Sequence, residues 1–135
     1  MTETEALGES LGRTLPPGTV LGLTGTLGAG KTAFVRGFAR GLGCTGRAHS
    51  PTFALMHEYP GGRCRMFHLD LYRLQGPADV RTAGLEEYLV RPDGIALVEW
   101  IERWCGEDPE ASVRRLRFNI VAEDVREITD DDPCA

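Results

Sequence analysis

The octapeptide Gly25-Thr26-Leu27-Gly28-Ala29-Gly30-Lys31-Thr32 has the residue types and spacing that grip a chain of phosphates, G-x-x-x-x-G-K-[ST] in full. Glycines let backbone N–H groups turn inward and approach phosphate oxygens without a Cβ in the way. Gly28, Ala29 and Gly30 are the expected cradle, and the Ala33 amide in the following first helical turn points the same way. Lys31 is expected to reach the β- and γ-phosphates, and the Thr32 hydroxyl to ligate Mg²⁺. Lys31 is the only lysine in the chain, against fourteen arginines. A compositional bias that replaces lysine by arginine spares it only where a compact ammonium on a flexible stem is needed.

Two carboxylates have the placement of magnesium- or water-orienting groups. Asp70 follows Met66-Phe67-His68-Leu69, and Glu99 follows Ile95-Ala96-Leu97-Val98. At the C-terminal end of a strand, each would face the crevice where α/β sheets bind ligands. Thr52, in Ser50-Pro51-Thr52, falls where a switch loop would lie and is a candidate contact to the γ-phosphate or Mg²⁺.

These groups need a scaffold, and the apolar pattern supplies one. Thr19 to Thr24 reads as a short buried strand running into the glycines. From Thr32 onward, Phe34, Val35, Phe38 and Leu42 share one helical face, and Gly43 fits a C-cap. Leu7, Leu11 and Leu15 recur every four residues, which predicts an N-terminal helix ended by Pro16-Pro17-Gly18. Thr52 to Tyr59 and Arg63 to Leu71 read as strands joined at Pro60-Gly61-Gly62. Pro77 opens a helix, and helical character continues over Leu85 to Val90. Ile95 to Val98 is apolar on both faces, as a buried parallel strand must be, and Val113 to Val121 with Val125 to Thr129 form a terminal hairpin. The expected fold is α/β: a P-loop NTPase-like, mixed but mainly parallel sheet flanked by helices, with a C-terminal hairpin, in one domain over residues 1–135.

Composition narrows the chemistry. No apolar run approaches the ~20 residues of a membrane span, and Met1 to Glu5 is too acidic to lead a signal peptide, so a cytoplasmic location is expected. The net charge of −5 argues against tight unaided nucleic-acid binding. Arg114, Arg115 and Arg117 are interleaved with apolar Val113, Leu116 and Phe118 and read as the solvated side of a strand. Cys44, Cys64, Cys105 and Cys134 are widely spaced and form no zinc-ligand pattern with the three histidines, so free thiols are expected. With no second lysine there is no Asn-Lys-x-Asp guanine reader, which argues against a conventional small GTPase and favours ATP.

In order, the blocks Gly25 to Thr32, Arg36-Gly37, Ser50-Pro51-Thr52-Phe53, His68-Leu69-Asp70-Leu71-Tyr72-Arg73-Leu74 and Val98-Glu99-Trp100 resemble the TsaE (YjeE) family. The similarity runs from about Leu7 to Trp100. The resemblance implies an ATPase of tRNA threonylcarbamoyladenosine synthesis that supports a TsaD–TsaB complex and meets tRNA only through those partners. It further implies that the P-loop and Lys31 bind phosphate, that Thr32 and Glu99 bind Mg²⁺, and that Asp70 acts near the metal or the attacking water. It also implies that Thr4 contacts the nucleotide base. Thr26 and His49 depart from the family pattern, which often has an acidic residue at the first and Lys, Arg or Thr at the second. Activity is expected to be slow alone and raised by the partners. The competing reading is a small-molecule kinase of the P-loop class, for which the chain has little length to spare on an acceptor lid. A scaffold that binds nucleotide without turnover is a third.

Overall fold

A computed structural model describes residues 3–25, 30–46, 48–49, 55–90, 92–104, 113–122 and 125–131. Gly28, Ala29, Thr26, Ser50 to Thr52, Cys105 and Cys134 lie outside the described residues, and of His49 only the backbone is described.

The helices and strands follow the apolar periodicities closely. They are α1 (Glu3–Thr14), β1 (Val20–Gly25), α2 (Lys31–Leu42), β2 (Ala48–His49), β3 (Met56–Tyr59), β4 (Met66–Asp70), α3 (Pro77–Thr82), α4 (Glu86–Val90), β5 (Ile95–Glu99), β6 (Val113–Ala122) and β7 (Val125–Asp131), with a 3₁₀ turn at Ile101–Arg103. Among the described residues the strands form one sheet in the order β2-β3-β4-β5-β1-β6-β7. Its centre, β4-β5-β1-β6, is parallel, and an antiparallel pairing closes each side. The expected mainly parallel sheet with a terminal hairpin is therefore the fold. The two-residue β2 is too short to show a sequence period. The second expected strand is confined to Met56–Tyr59 in its described part.

Strand alternation sorts the core into two halves. On one face Leu21, Leu23, Met66, Ile95 and Leu97 pack under the apolar stripe of α2, Phe34, Val35, Phe38 and Leu42. On the other, Phe67, Leu69, Ala96 and Val98 meet Val80, Leu85, Leu89, Ile101 and Trp104. Gly43 ends α2 in the left-handed conformation (φ 85°), as its C-cap reading requires. Arg114 and Arg117 of β6 are exposed, while Val113, Leu116 and Phe118 are buried.

The packing of α1 departs from the leucine pattern. Leu7 is 39% exposed, and Leu11 and Leu15 are only partly buried; the buried positions are Gly8 and Gly12. They face Gly37 and Gly41 of α2 backbone to backbone. A Cβ at Gly8 would stand 2.3 Å from the Phe34 carbonyl oxygen, and one at Gly37 would stand 2.1 Å from that of Glu5. Two small residues four apart on each helix let the axes approach more closely than leucines would allow. This seam holds the first turn of α1 over the start of α2.

Among the described residues no helix is long and apolar enough to cross a membrane. Cys44 and Cys64 are free and half-buried. Burial pushes both thiols up, and Cys64 raises Cys44 further, so neither is a ready nucleophile at neutral pH.

Candidate functional site

The parallel register explains how four segments meet. β1, β4 and β5 all end on the same edge, and Leu23 pairs with Glu99 as Glu99 pairs with Asp70. Along β4, Met66, His68 and Asp70 share the face that α2 covers; along β5, Ile95, Leu97 and Glu99 do the same. The apolar members of each series fill the core under α2. The polar members emerge where α2 begins.

α2 starts at Lys31, directly after Gly30. Gly30 has φ 100° and ψ 8°, a left-handed conformation that a side chain would strain. Its carbonyl accepts the Phe34 N–H at 2.9 Å, the first closed turn of the helix. The N–H groups ahead of Phe34, including that of Ala33, have no acceptor within the helix and supply its positive end. Thr4 of α1 lies against Gly30: a Cβ there would be 3.3 Å from Thr4 Cγ2 and 3.5 Å from its hydroxyl. The glycine seam thus places Thr4 beside Gly30.

Lys31 is drawn inward, with its side chain 12% exposed. Its ammonium donates to the Gly25 carbonyl at 3.1 Å and stands 3.6 Å from Glu99 Oε1. The other oxygen of Glu99, Oε2, is 2.8 Å from His68 Nε2. An ionised carboxylate can only accept, so Nε2 carries the proton of that bond. The His68 hydrogen bond holds the Glu99 carboxyl below the usual range, with smaller help from Lys31 and against the cost of its burial. Glu99 is therefore a carboxylate at neutral pH.

Asp70 accepts the Tyr72 N–H on Oδ1 at 3.1 Å, which fixes the chain as it leaves β4. Asp70 and the exposed Thr32 stand at a cleft of about 720 Å³ between α2 and strands β3 and β4, with Arg36, Arg40 and His57 further along its walls. Lys31, Glu99 and His68 are thus joined directly, and Thr32 and Asp70 face one shared space. The donor set of hydroxyl and carboxylate oxygens suits a hard divalent cation such as Mg²⁺.

Sequence reasoning left two residues of this site without a role. His68 was visible only as part of a motif block, although its place two residues before Asp70 puts both on one strand face. Trp100, straight after Glu99, takes a left-handed backbone (φ 61°, ψ 40°), the one positive φ of a non-glycine among the described residues. It is 41% exposed and lies 6.4 Å from the ring of Tyr72, which is 52% exposed. Arg73 covers the Tyr72 ring and Arg103 the Trp100 ring, at 5.7 and 5.2 Å. No property of the isolated sequence marks an aromatic residue for a left-handed turn.

Comparison with known proteins places the chain among close relatives. Residues 1–128 match the family model of "Threonylcarbamoyl adenosine biosynthesis protein TsaE". The chain is 40% identical over 129 residues to the tRNA threonylcarbamoyladenosine biosynthesis protein TsaE of Bacillus subtilis, covering 94% of this chain and 78% of that one. It is 41% identical over 127 residues to the protein of that name from Treponema pallidum, covering 94% and 92%. The crystal structure of YdiB from Bacillus subtilis superposes with a TM-score of 0.72 at 34% identity, over 95% of this chain and 77% of that one.

Proposed function

The chain belongs to the TsaE family, whose role lies in tRNA threonylcarbamoyladenosine biosynthesis, and from that premise we propose that it is a Mg²⁺-dependent ATPase serving a TsaD–TsaB complex. The observation that carries the reading is the convergence of Lys31, Glu99 and His68 at the strand ends beside the start of α2. The Lys31 ammonium contacts Glu99 and the Gly25 carbonyl. An incoming triphosphate offers it stronger partners, the β- and γ-phosphate oxygens, and the cation swings to them. The amides of Gly28, Ala29, Gly30 and the first turn of α2, Ala33 included, close around the phosphates. Thr4 borders the base.

Thr32 and Glu99 would hold Mg²⁺, and the ion would supply positive charge to offset the negative charge on the phosphate oxygens. Asp70 orients the attacking water, and Thr52 adds a contact at the γ-phosphate end. The whole chain acts as one P-loop ATPase domain in the cytoplasm. With a net charge of −5 it meets tRNA only through its partners.

Its nucleotide state is read by those partners. Exposed Tyr72 and Trp100, each capped by an arginine, have the make-up of a protein-binding hot spot. Each also adjoins a site carboxylate, Tyr72 through its N–H bond to Asp70 and Trp100 through the peptide link to Glu99. A shift of either carboxylate therefore moves the surface. Retention on immobilised TsaD–TsaB tests this. The expected result is different retention with ATP, with ADP and without nucleotide, reduced in all three by Trp100→Ala. Equal retention under all three conditions would contradict it.

One observation favours the kinase reading: Arg36 and Arg40 line the cleft beyond Thr32 and Asp70, where an acceptor would sit. Transfer of labelled γ-phosphate to a small molecule rather than to water would establish that alternative.

A further inference from the structure

The geometry points to His68 as a positioning residue that acts through Glu99: by holding Oε2, it keeps Oε1 turned toward Lys31 and the phosphate site. This rests on the reading of Glu99 as a Mg²⁺ ligand. A carboxylate on a glutamate stem has three soft torsions, and near an ammonium it tends to turn both oxygens to that charge. Here the two oxygens are divided, Oε2 to His68 at 2.8 Å and Oε1 to Lys31 at 3.6 Å. The longer, looser contact is to the ammonium that phosphates would also attract. The shorter one is to a ring anchored in β4.

His68 is well suited to this work. Its backbone sits in the centre of β4, paired with Leu97 on one side and His57 on the other, so its Cα is fixed by the ladder. Its side chain is 19% exposed and has two torsions, which makes it a stiff donor. Without it, Glu99 is free to turn both oxygens to Lys31. Both oxygens then compete with phosphate for the ammonium, and a divalent cation would lose a pre-aimed ligand. Partners that orient a metal ligand in this way typically change metal affinity ~10–100-fold.

The test uses the full-length protein saturated with a non-hydrolysable ATP analogue, with Mn²⁺ as the probe and free Mn²⁺ read by electron paramagnetic resonance. His68→Ala is expected to weaken Mn²⁺ binding about tenfold or more. His68→Gln, which carries an N–H at nearly the place of Nε2, is expected to recover most of that loss. In a Glu99→Ala background, His68→Ala should cause no further loss, because the residue through which it acts is gone. A far-UV circular dichroism spectrum and melting curve of His68→Ala that match the parent's report that the fold is intact. The inference is overturned if His68→Ala binds Mn²⁺ within about twofold of the parent, if the glutamine variant is as weak as the alanine one, or if the loss persists without Glu99. Normal Mn²⁺ affinity in Glu99→Ala alone would instead sink the assignment of Glu99 as a metal ligand.

Discussion

Replacing Lys31 by alanine is expected to lower ATP affinity on the order of a hundredfold or more. The ammonium can make two charge-assisted hydrogen bonds to the β- and γ-phosphates, each worth ~1.5–3 kcal/mol. Together these give roughly 3–6 kcal/mol, or about two to four decades in Kd. A second effect adds to the first. Lys31 neutralises Glu99 at 3.6 Å, so its removal leaves a bare carboxylate facing the incoming anion. Lys31→Arg is expected to fail nearly as badly. The side chain must fit between the Gly25 carbonyl and Glu99 with little exposure, and a planar guanidinium is broader than an ammonium. Titration calorimetry with ATP checks both variants. Near-normal affinity in the arginine variant would remove Lys31 from the phosphate cradle.

Glu99→Gln and Asp70→Asn should separate hydrolysis from nucleotide binding. Each substitution keeps the shape of the side chain and removes a charge that faces the site. With Mg²⁺ present, hydrolysis in the assembled complex is expected to drop about a hundredfold for Glu99→Gln, since a metal ligand and the counter-charge of Lys31 are both lost. For Asp70→Asn a smaller drop, of about tenfold or more, is expected, because Oδ1 keeps its bond to the Tyr72 N–H and only the charge on the cleft changes. In EDTA, ATP affinity should hold for Asp70→Asn and rise for Glu99→Gln, which takes a negative charge away from the phosphates. Single-turnover hydrolysis alongside binding of a fluorescent ATP analogue separates the two effects. Parental hydrolysis by both variants would show that these carboxylates do other work.

Local patterns made most of the scaffold readable. The octapeptide stands between an apolar strand and an amphipathic helix, and Gly43 closes that helix where its periodicity stops. Ile95 to Val98 is apolar on both faces because helices cover both, which the continuous run already implied. Asp70 and Glu99 ended strands in sequence, and parallel pairing turned two strand ends into neighbours.

What stayed hidden depends on contacts between distant segments. The α1 seam is made by the absence of side chains at Gly8, Gly12, Gly37 and Gly41, and hydrophobic periodicity cannot register an absence. The pairing of His68 with Glu99 spans 31 residues and requires the register of β4 on β5. The left-handed turn at Trp100 leads into Ile101 and Trp104, both buried in the core, and no local preference of tryptophan specifies it.

Phosphate release tests most directly whether this chain hydrolyses ATP on behalf of partner proteins. The rate is measured for the chain alone, for the TsaD–TsaB complex alone, and for the two together, at saturating Mg²⁺ and ATP. Slow release by the isolated chain, a several-fold rise on adding the complex, and loss of that rise with Lys31→Ala is the predicted result. A rate unaffected by the complex, or phosphate appearing on a small acceptor instead of in solution, would contradict it.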